Sequence, residues 1–170
     1  MIRLAIRYGW TFVFLILFQV LILNNLHLSI YINPYVYILL IIILPFDTPG
    51  WLSLSLAFVM GLTMDAFSNT PGIHTAAIVF LAFIRHYLLQ IIAPRDGYEV
   101  GLSPHYDNMG LTRFIFYAAT VTIFHHTFLF FIEDFRMDHF FSILFKVFAS
   151  SLLSVAIMII LLLVSYKPRK

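Results

Sequence analysis

Apolar residues in this chain run in long unbroken stretches, and polar residues gather between them. A helix needs ~20 mostly apolar residues to cross a bilayer. Stretches of that order fall at 9–28, 51–67, 73–93, 114–132 and 140–166. The runs are continuous rather than alternating with period two, so transmembrane β-strands are not indicated. Arg3 and Arg7 precede the first run, as in a secretory signal. That run is long, however, and ends in Gln19, Asn24, Asn25 and His27, with no small-residue cleavage site behind it. It reads as an uncleaved first helix.

The stretch 30–46 is harder to place. Asn33-Pro34 interrupts it near its start, and Pro45 and Pro49 end it. Pro34 suits a helix N-terminus. The uninterrupted part, Tyr35 to Leu44, makes a helix of about 15 Å, roughly half a bilayer. It must be extended by residues 30–33, sit in thinned membrane, or dip in without crossing. Counting it as a span predicts one transmembrane domain over 1–170, an all-α bundle of six membrane-spanning helices. Ser68-Asn69-Thr70-Pro71-Gly72 predicts a tight turn. Residues 94–112 predict the one substantial loop, with Pro94, Gly97, Gly101, Pro104 and Gly110 among Arg95, Asp96, Glu99, His105 and Asp107. Glu133, Asp134, Arg136 and Asp138 form a short polar turn.

Composition sharpens this picture. Of 170 residues, 62% are hydrophobic and only 11% charged, and the mean hydropathy is +0.97. A soluble domain is closer to half apolar and a quarter charged. A soluble enzyme, a nucleic-acid binder and a disordered tail protein are therefore excluded as classes. With no cysteine there is no disulfide, thiolate metal site or Cys nucleophile.

Positive residues near span ends collect in the cytoplasm. Six spans put Arg3, Arg7, Arg95, Arg113, Lys167, Arg169 and Lys170 on one side. The other side holds Arg136, with Lys146 just inside the last helix. Both termini are thus expected in the cytoplasm. If 30–46 were re-entrant, the five remaining spans would separate the basic termini, against the charge rule.

Asp65 is the most informative polar residue. It ends a stripe of small residues, Ser53, Ala57 and Gly61, spaced by four along one helix face. Such a stripe lets another helix approach closely. An acid at a helix C-terminus opposes the dipole and needs a donor. The backbone of Ser68 to Thr70, Thr75 and His74 are the candidates. Ion or substrate binding at Asp65 is the other reading. Arg85 and His86 fall about 18 Å into the fourth span. With Asp65 they are the candidates for a polar interior, although Arg85 can also snorkel to the headgroups. Ser150 and Ser154, near Ala149 and Ser151, form a second packing seam. Adjacent His125 and His126 point about 100° apart on a helix and cannot share one metal. Hydrogen bonds to neighbouring helices are their expected role. Lys146 is expected to snorkel. No G-x-S-x-G, H-E-x-x-H or P-loop occurs, and no catalytic, cofactor or metal residue is assigned.

Residues 61–80, GLTMDAFSNTPGIHTAAIVF, resemble the hairpin of the rod shape-determining MreD family. There a helix ending in G-L-x-x-D precedes a polar turn, Pro and Gly, then a helix rich in small residues. Gly61, Leu62, Asp65, Pro71, Gly72 and His74 match that pattern. Pro71 and Gly72 are adjacent here, where many members have a residue between them.

The resemblance implies a non-enzymatic subunit of the bacterial inner membrane, without a cofactor. It would serve the elongation machinery that sets cell shape and builds lateral peptidoglycan. Its implied partner is MreC, a single-span protein. Through MreC it is linked to MreB filaments, a glycosyltransferase and a class B penicillin-binding protein. The family's helical fold is similar to the substrate-binding components of energy-coupling-factor transporters. The leading expectation is a scaffold embedded in membrane lipid, with no nucleic-acid partner. The alternative is a transporter component binding a vitamin-like molecule, which needs a roomy interior.

Overall fold

The computed structural model describes residues 2–26, 32–134, 138 and 140–165, with side chains from residue 6 onward. Expectations for Arg3, His27, Ile30, Arg136, Lys167, Arg169 and Lys170 lie outside that description. The helices are α1 (Ile2–Leu21), α2 (Leu39–Ile42), α3 (Gly50–Ser68), α4 (Ile73–Ile91), α5 (Tyr106–Met109), α6 (Leu111–Glu133) and α7 (Phe140–Ser165). A short 3-10 turn, Leu23–Asn25, continues α1. The helices starting or ending at these bounds include five long and apolar enough to cross a membrane: α1 with its 3-10 turn, α3, α4, α6 and α7.

Four of these agree closely with the apolar runs. The first helix begins earlier than residue 9 and its α-helical part stops at Leu21. Residues 32–46, the described part of the stretch 30–46, do not form the expected helix. Within the described part, 32–36 are extended and only Leu39–Ile42 turn as a helix. The 94–112 region is a loop interrupted by α5, and α6 already starts at Leu111.

The main helix contacts run in the order α1–α3–α4–α6–α7. Residues 32–44 fill the space within this arc and close it. Val36, Tyr37, Ile38, Ile41 and Ile42 are all 0% exposed. Buried backbone must be hydrogen-bonded, and an extended strand offers its groups alternately to either side. Here α7 takes one side: Ser150 Oγ accepts from Asn33 N at 3.0 Å and Ser154 Oγ accepts from Tyr35 N at 2.9 Å. The spacing works because one helical turn and two extended residues are of similar length. On the other side, the Gln19 carboxamide of α1 donates to Pro34 O at 2.9 Å and accepts from Val36 N at 2.7 Å. Gln19 therefore stands in for the peptide of a neighbouring strand. That supply of side-chain partners is why 32–36 stay extended despite their apolar sequence.

The segment runs antiparallel to α1. Pro34 lies beside Gln19, whereas Ile43 O lies 3.5 Å from the Tyr8 hydroxyl, eleven residues earlier on α1. The loop after α4 covers this second end. Tyr8 Oη is 3.1 Å from Ser103 Oγ, Phe46 N donates to Leu102 O at 2.9 Å, and the Phe46 and Tyr98 rings stack at 3.8 Å.

Candidate functional site

The α3–α4 hairpin is built around Asp65. Asn69, at φ 55°, turns the chain out of α3, and its N–H bonds back to Asp65 O. Thr70 N donates to the same carbonyl at 3.1 Å. Gly72, at φ 86°, starts α4 and has no side chain with which to cap it. A helix start leaves N–H groups unpaired, and a side-chain oxygen ordinarily takes those of the second or third residue. Asp65 supplies it from the preceding helix. Oδ1 accepts from His74 N at 2.9 Å and Thr70 Oγ1 at 2.6 Å. Oδ2 accepts from Thr75 N at 3.0 Å and from Thr75 Oγ1. Its negative charge also suits the positive end of α4's dipole.

Of the donors expected from sequence, His74 serves through its backbone and Thr75 through both its backbone and its hydroxyl. Thr70 serves through its hydroxyl and not its N–H, and Ser68 makes no bond to this carboxylate. All four contacts come from the chain itself.

Gly61 sets the distance between the two helices. A Cβ at this position would collide with the Thr75 backbone and approach Ile78 Cγ2 at 2.9 Å. Ser53 and Ala57 continue the stripe and are buried, as a packing seam requires. Ser53 Oγ is turned to Gly50 O at 2.9 Å. Leu62, part of the same motif, faces outward.

Behind the hairpin lies a polar cluster. Tyr37 Oη sits 3.1 Å from His74 Nδ1 and 3.0 Å from His125 Nε2. One hydroxyl hydrogen serves one imidazole, so the other imidazole must donate to Tyr37. His125 Nδ1 is buried without a partner. His126 Nδ1 faces Thr122 O at 2.9 Å, which fixes that nitrogen as a donor. Its Nε2 faces Ser154 Oγ on α7 at 3.2 Å. The two histidines thus bond to different elements, and the described residues contain no group of His, Asp or Glu able to hold a metal ion.

Arg85 does not snorkel. It is 2% exposed and Nη2 donates to Leu44 O and, at 3.1 Å, to Pro45 O. Tyr117 Oη donates to Ile42 O at 3.2 Å. Together they serve carbonyls at the end of the one-turn α2, where a helix leaves acceptors unpaired and favours a cation.

His86 is the correction to the predicted polar interior. It lies on the exposed side of α4, bonded to Gln90 at 3.1 Å, whereas Asp65 and Arg85 are inside. Asp65 and Arg85 serve different parts of the chain rather than one another. Lys146 pairs with Glu133, the last residue of α6, at 2.9 Å and lies 4.3 Å over the Phe130 ring. Ser150 and Ser154 are more than small residues, since they hold the backbone of 33 and 35.

Gln19, Tyr37 and Tyr117 escaped sequence reasoning. A glutamine within an apolar helix, followed by a proline-interrupted segment, was the available signal for the first. Nothing local marks either tyrosine.

The arrangement defines a polytopic helical protein whose polar core groups hold its own irregular segment. No protein-family model, curated protein or solved structure matches the chain.

Proposed function

We propose that this chain is a non-enzymatic scaffold of the bacterial inner membrane. It serves the cell-elongation complex by holding an MreC-like single-span partner. MreB, the glycosyltransferase and the class B penicillin-binding protein are reached through that partner. The chain crosses six times, five times as a helix and once as residues 32–46, and both termini face the cytoplasm. The antiparallel course of 32–44 along α1 supports the sixth crossing. The fold relation to energy-coupling-factor components belongs to the same proposal and rests on the motif around Asp65.

One observation carries the scaffold reading. The bundle interior is occupied by residues 32–44, whose backbone is bonded by Gln19, Ser150, Ser154, Tyr117 and Arg85. A vitamin-like ligand needs a cavity of some hundreds of Å³, and this chain uses that space itself. What remains for function is the outer surface and the short turns.

Affinity purification in mild detergent tests the reading. An MreC-like protein is expected in the eluate, and cells lacking the chain are expected to round up. Absence of such a partner, together with a melting temperature raised by a small vitamin-like molecule, overturns it in favour of a transporter component.

A further inference from the structure

Among the described residues, four buried side-chain atoms have no hydrogen-bond partner: Arg85 Nε, Thr122 Oγ1, His125 Nδ1 and Ser151 Oγ. Two of them belong to one face of α6. Thr122 and His125 are both 0% exposed, and residues at this spacing are neighbours on a helix, with Cβ atoms about 5–6 Å apart. The Thr122 hydroxyl departs from the habit of this chain. Thr11, Thr63 and Thr120 each donate to the carbonyl four residues earlier, Arg7 O at 2.9 Å, Val59 O at 2.8 Å and Phe116 O at 2.7 Å. A helical threonine commonly satisfies its hydroxyl in this way. Thr122 has the same option in Ala118 O and does not take it.

His125 cannot relieve its own orphan by changing tautomer. Its Nε2 is 3.0 Å from Tyr37 Oη. If Nε2 carries the ring hydrogen, Nδ1 is a bare acceptor; if Tyr37 donates to Nε2, Nδ1 is a bare donor. Either way a buried polar atom is left unmet, which protein interiors avoid. Nδ1 is also the ring nitrogen nearer the backbone. Helical side chains lean towards the preceding turn, and the preceding turn carries Thr122.

We infer that α6 binds one water molecule between Thr122 Oγ1 and His125 Nδ1. Water donates and accepts, so it serves His125 in either tautomer, and the threonine hydroxyl does the same on its other side. At about 2.7–3.2 Å from each atom it fits the separation that two helix neighbours offer. Two partners lie within the range a buried water makes. The water extends the chain of bonds that runs from His125 through Tyr37 to His74, whose backbone N–H is held by Asp65. It thereby ties α6, the central segment and the α3–α4 hairpin into one polar network. The inference is independent of what the chain scaffolds.

Thr122→Val keeps the shape of the side chain and removes its hydroxyl. With water bound, the change takes away one of its two holders, and the full-length protein in detergent is expected to melt about 2–4 °C lower. A hydroxyl with no partner gives the opposite sign, because a methyl in its place removes a buried orphan. An unchanged or raised melting temperature therefore overturns the inference. His125→Asn keeps a polar atom near the place of Nδ1, whereas His125→Gln keeps one near the place of Nε2. Thr122→Val is expected to remain costly in the His125→Asn background and to cost nothing in the His125→Gln background; equal costs in the two overturn the bridge. A density map of the unsubstituted chain that resolves ordered water checks the site directly. A peak within hydrogen-bond distance of both atoms is expected, and its absence, or a Thr122 hydroxyl turned to Ala118 O, overturns the site. The map and Thr122→Val decide the matter where a His125 variant does not fold.

Discussion

Asp65 and Thr75 are joined twice, through the Thr75 backbone N–H at 3.0 Å and through its hydroxyl. An acid at the end of one helix thereby caps the start of the next. Close approach is possible because Gly61, one turn earlier, lets the backbone of Thr75 lie against it.

Asp65→Ala removes the acceptor of two backbone and two hydroxyl donors. Loss of a helix cap alone costs about 1–2 kcal/mol, and buried donors left unpaired add to it. Asp65→Asn is expected to do little better, because its amide N–H₂ would face a backbone N–H of His74 or Thr75. Thermal melting in detergent checks this. A stable Asp65→Asn protein would show that the charge and one of the two acceptor oxygens are dispensable.

Gly61→Ala is expected to destabilise by about 1–3 kcal/mol, the usual cost of overpacking. The obstacle is backbone, which cannot rotate away as a side chain can. Because the added methyl pushes α3 from α4 beside the cap, Gly61→Ala and Asp65→Ala should be non-additive in a double-mutant cycle. Simple additivity would mean that the two positions act separately.

Gln19→Leu leaves Pro34 O and Val36 N unpaired in the core, whereas Ser150→Ala frees only Asn33 N, which is partly buried. The first should cost more, by about 1–3 kcal/mol for each buried group orphaned. Ser154→Ala should fall between them, since it frees Tyr35 N and takes a contact from His126. Melting temperatures in the reverse order would contradict the account of the central segment.

Arg85→Leu removes a buried cation and strands the carbonyls of Leu44 and Pro45. A loss of about 1–3 kcal/mol is expected, and Arg85→Lys should recover part of it through its ammonium group. If the lysine variant melts no higher than the leucine variant, the cation is not serving these carbonyls. Limited proteolysis at the Pro45 end offers a second reading, since the loop over Phe46 should become cleavable.

The long helices were legible because uniform apolarity over about twenty residues has few structural outcomes in a membrane. The Asp65 hairpin was legible too: the stripe from Ser53 to Gly61, the acid and the turn all lie within one short stretch. Residues 32–44 were not. A run such as Tyr35 to Leu44 satisfies a helix as well as it satisfies a buried strand. The choice was made by Gln19 and by serines more than a hundred positions away. His86 was misplaced for a related reason, because helical phase depends on which neighbours α4 meets, and its own sequence is apolar on several sides.

The partners of Asn33 and Tyr35 lie 117 and 119 residues further along the chain. During synthesis the early amides therefore emerge long before the serines that receive them. Until the last helix arrives, this portion of the polypeptide needs water or a chaperoning surface, since bare lipid would not tolerate it. The arrival of α7 thus acts as the latch, and a chain interrupted before Ser150 would lack the acceptors for Asn33 N and Tyr35 N.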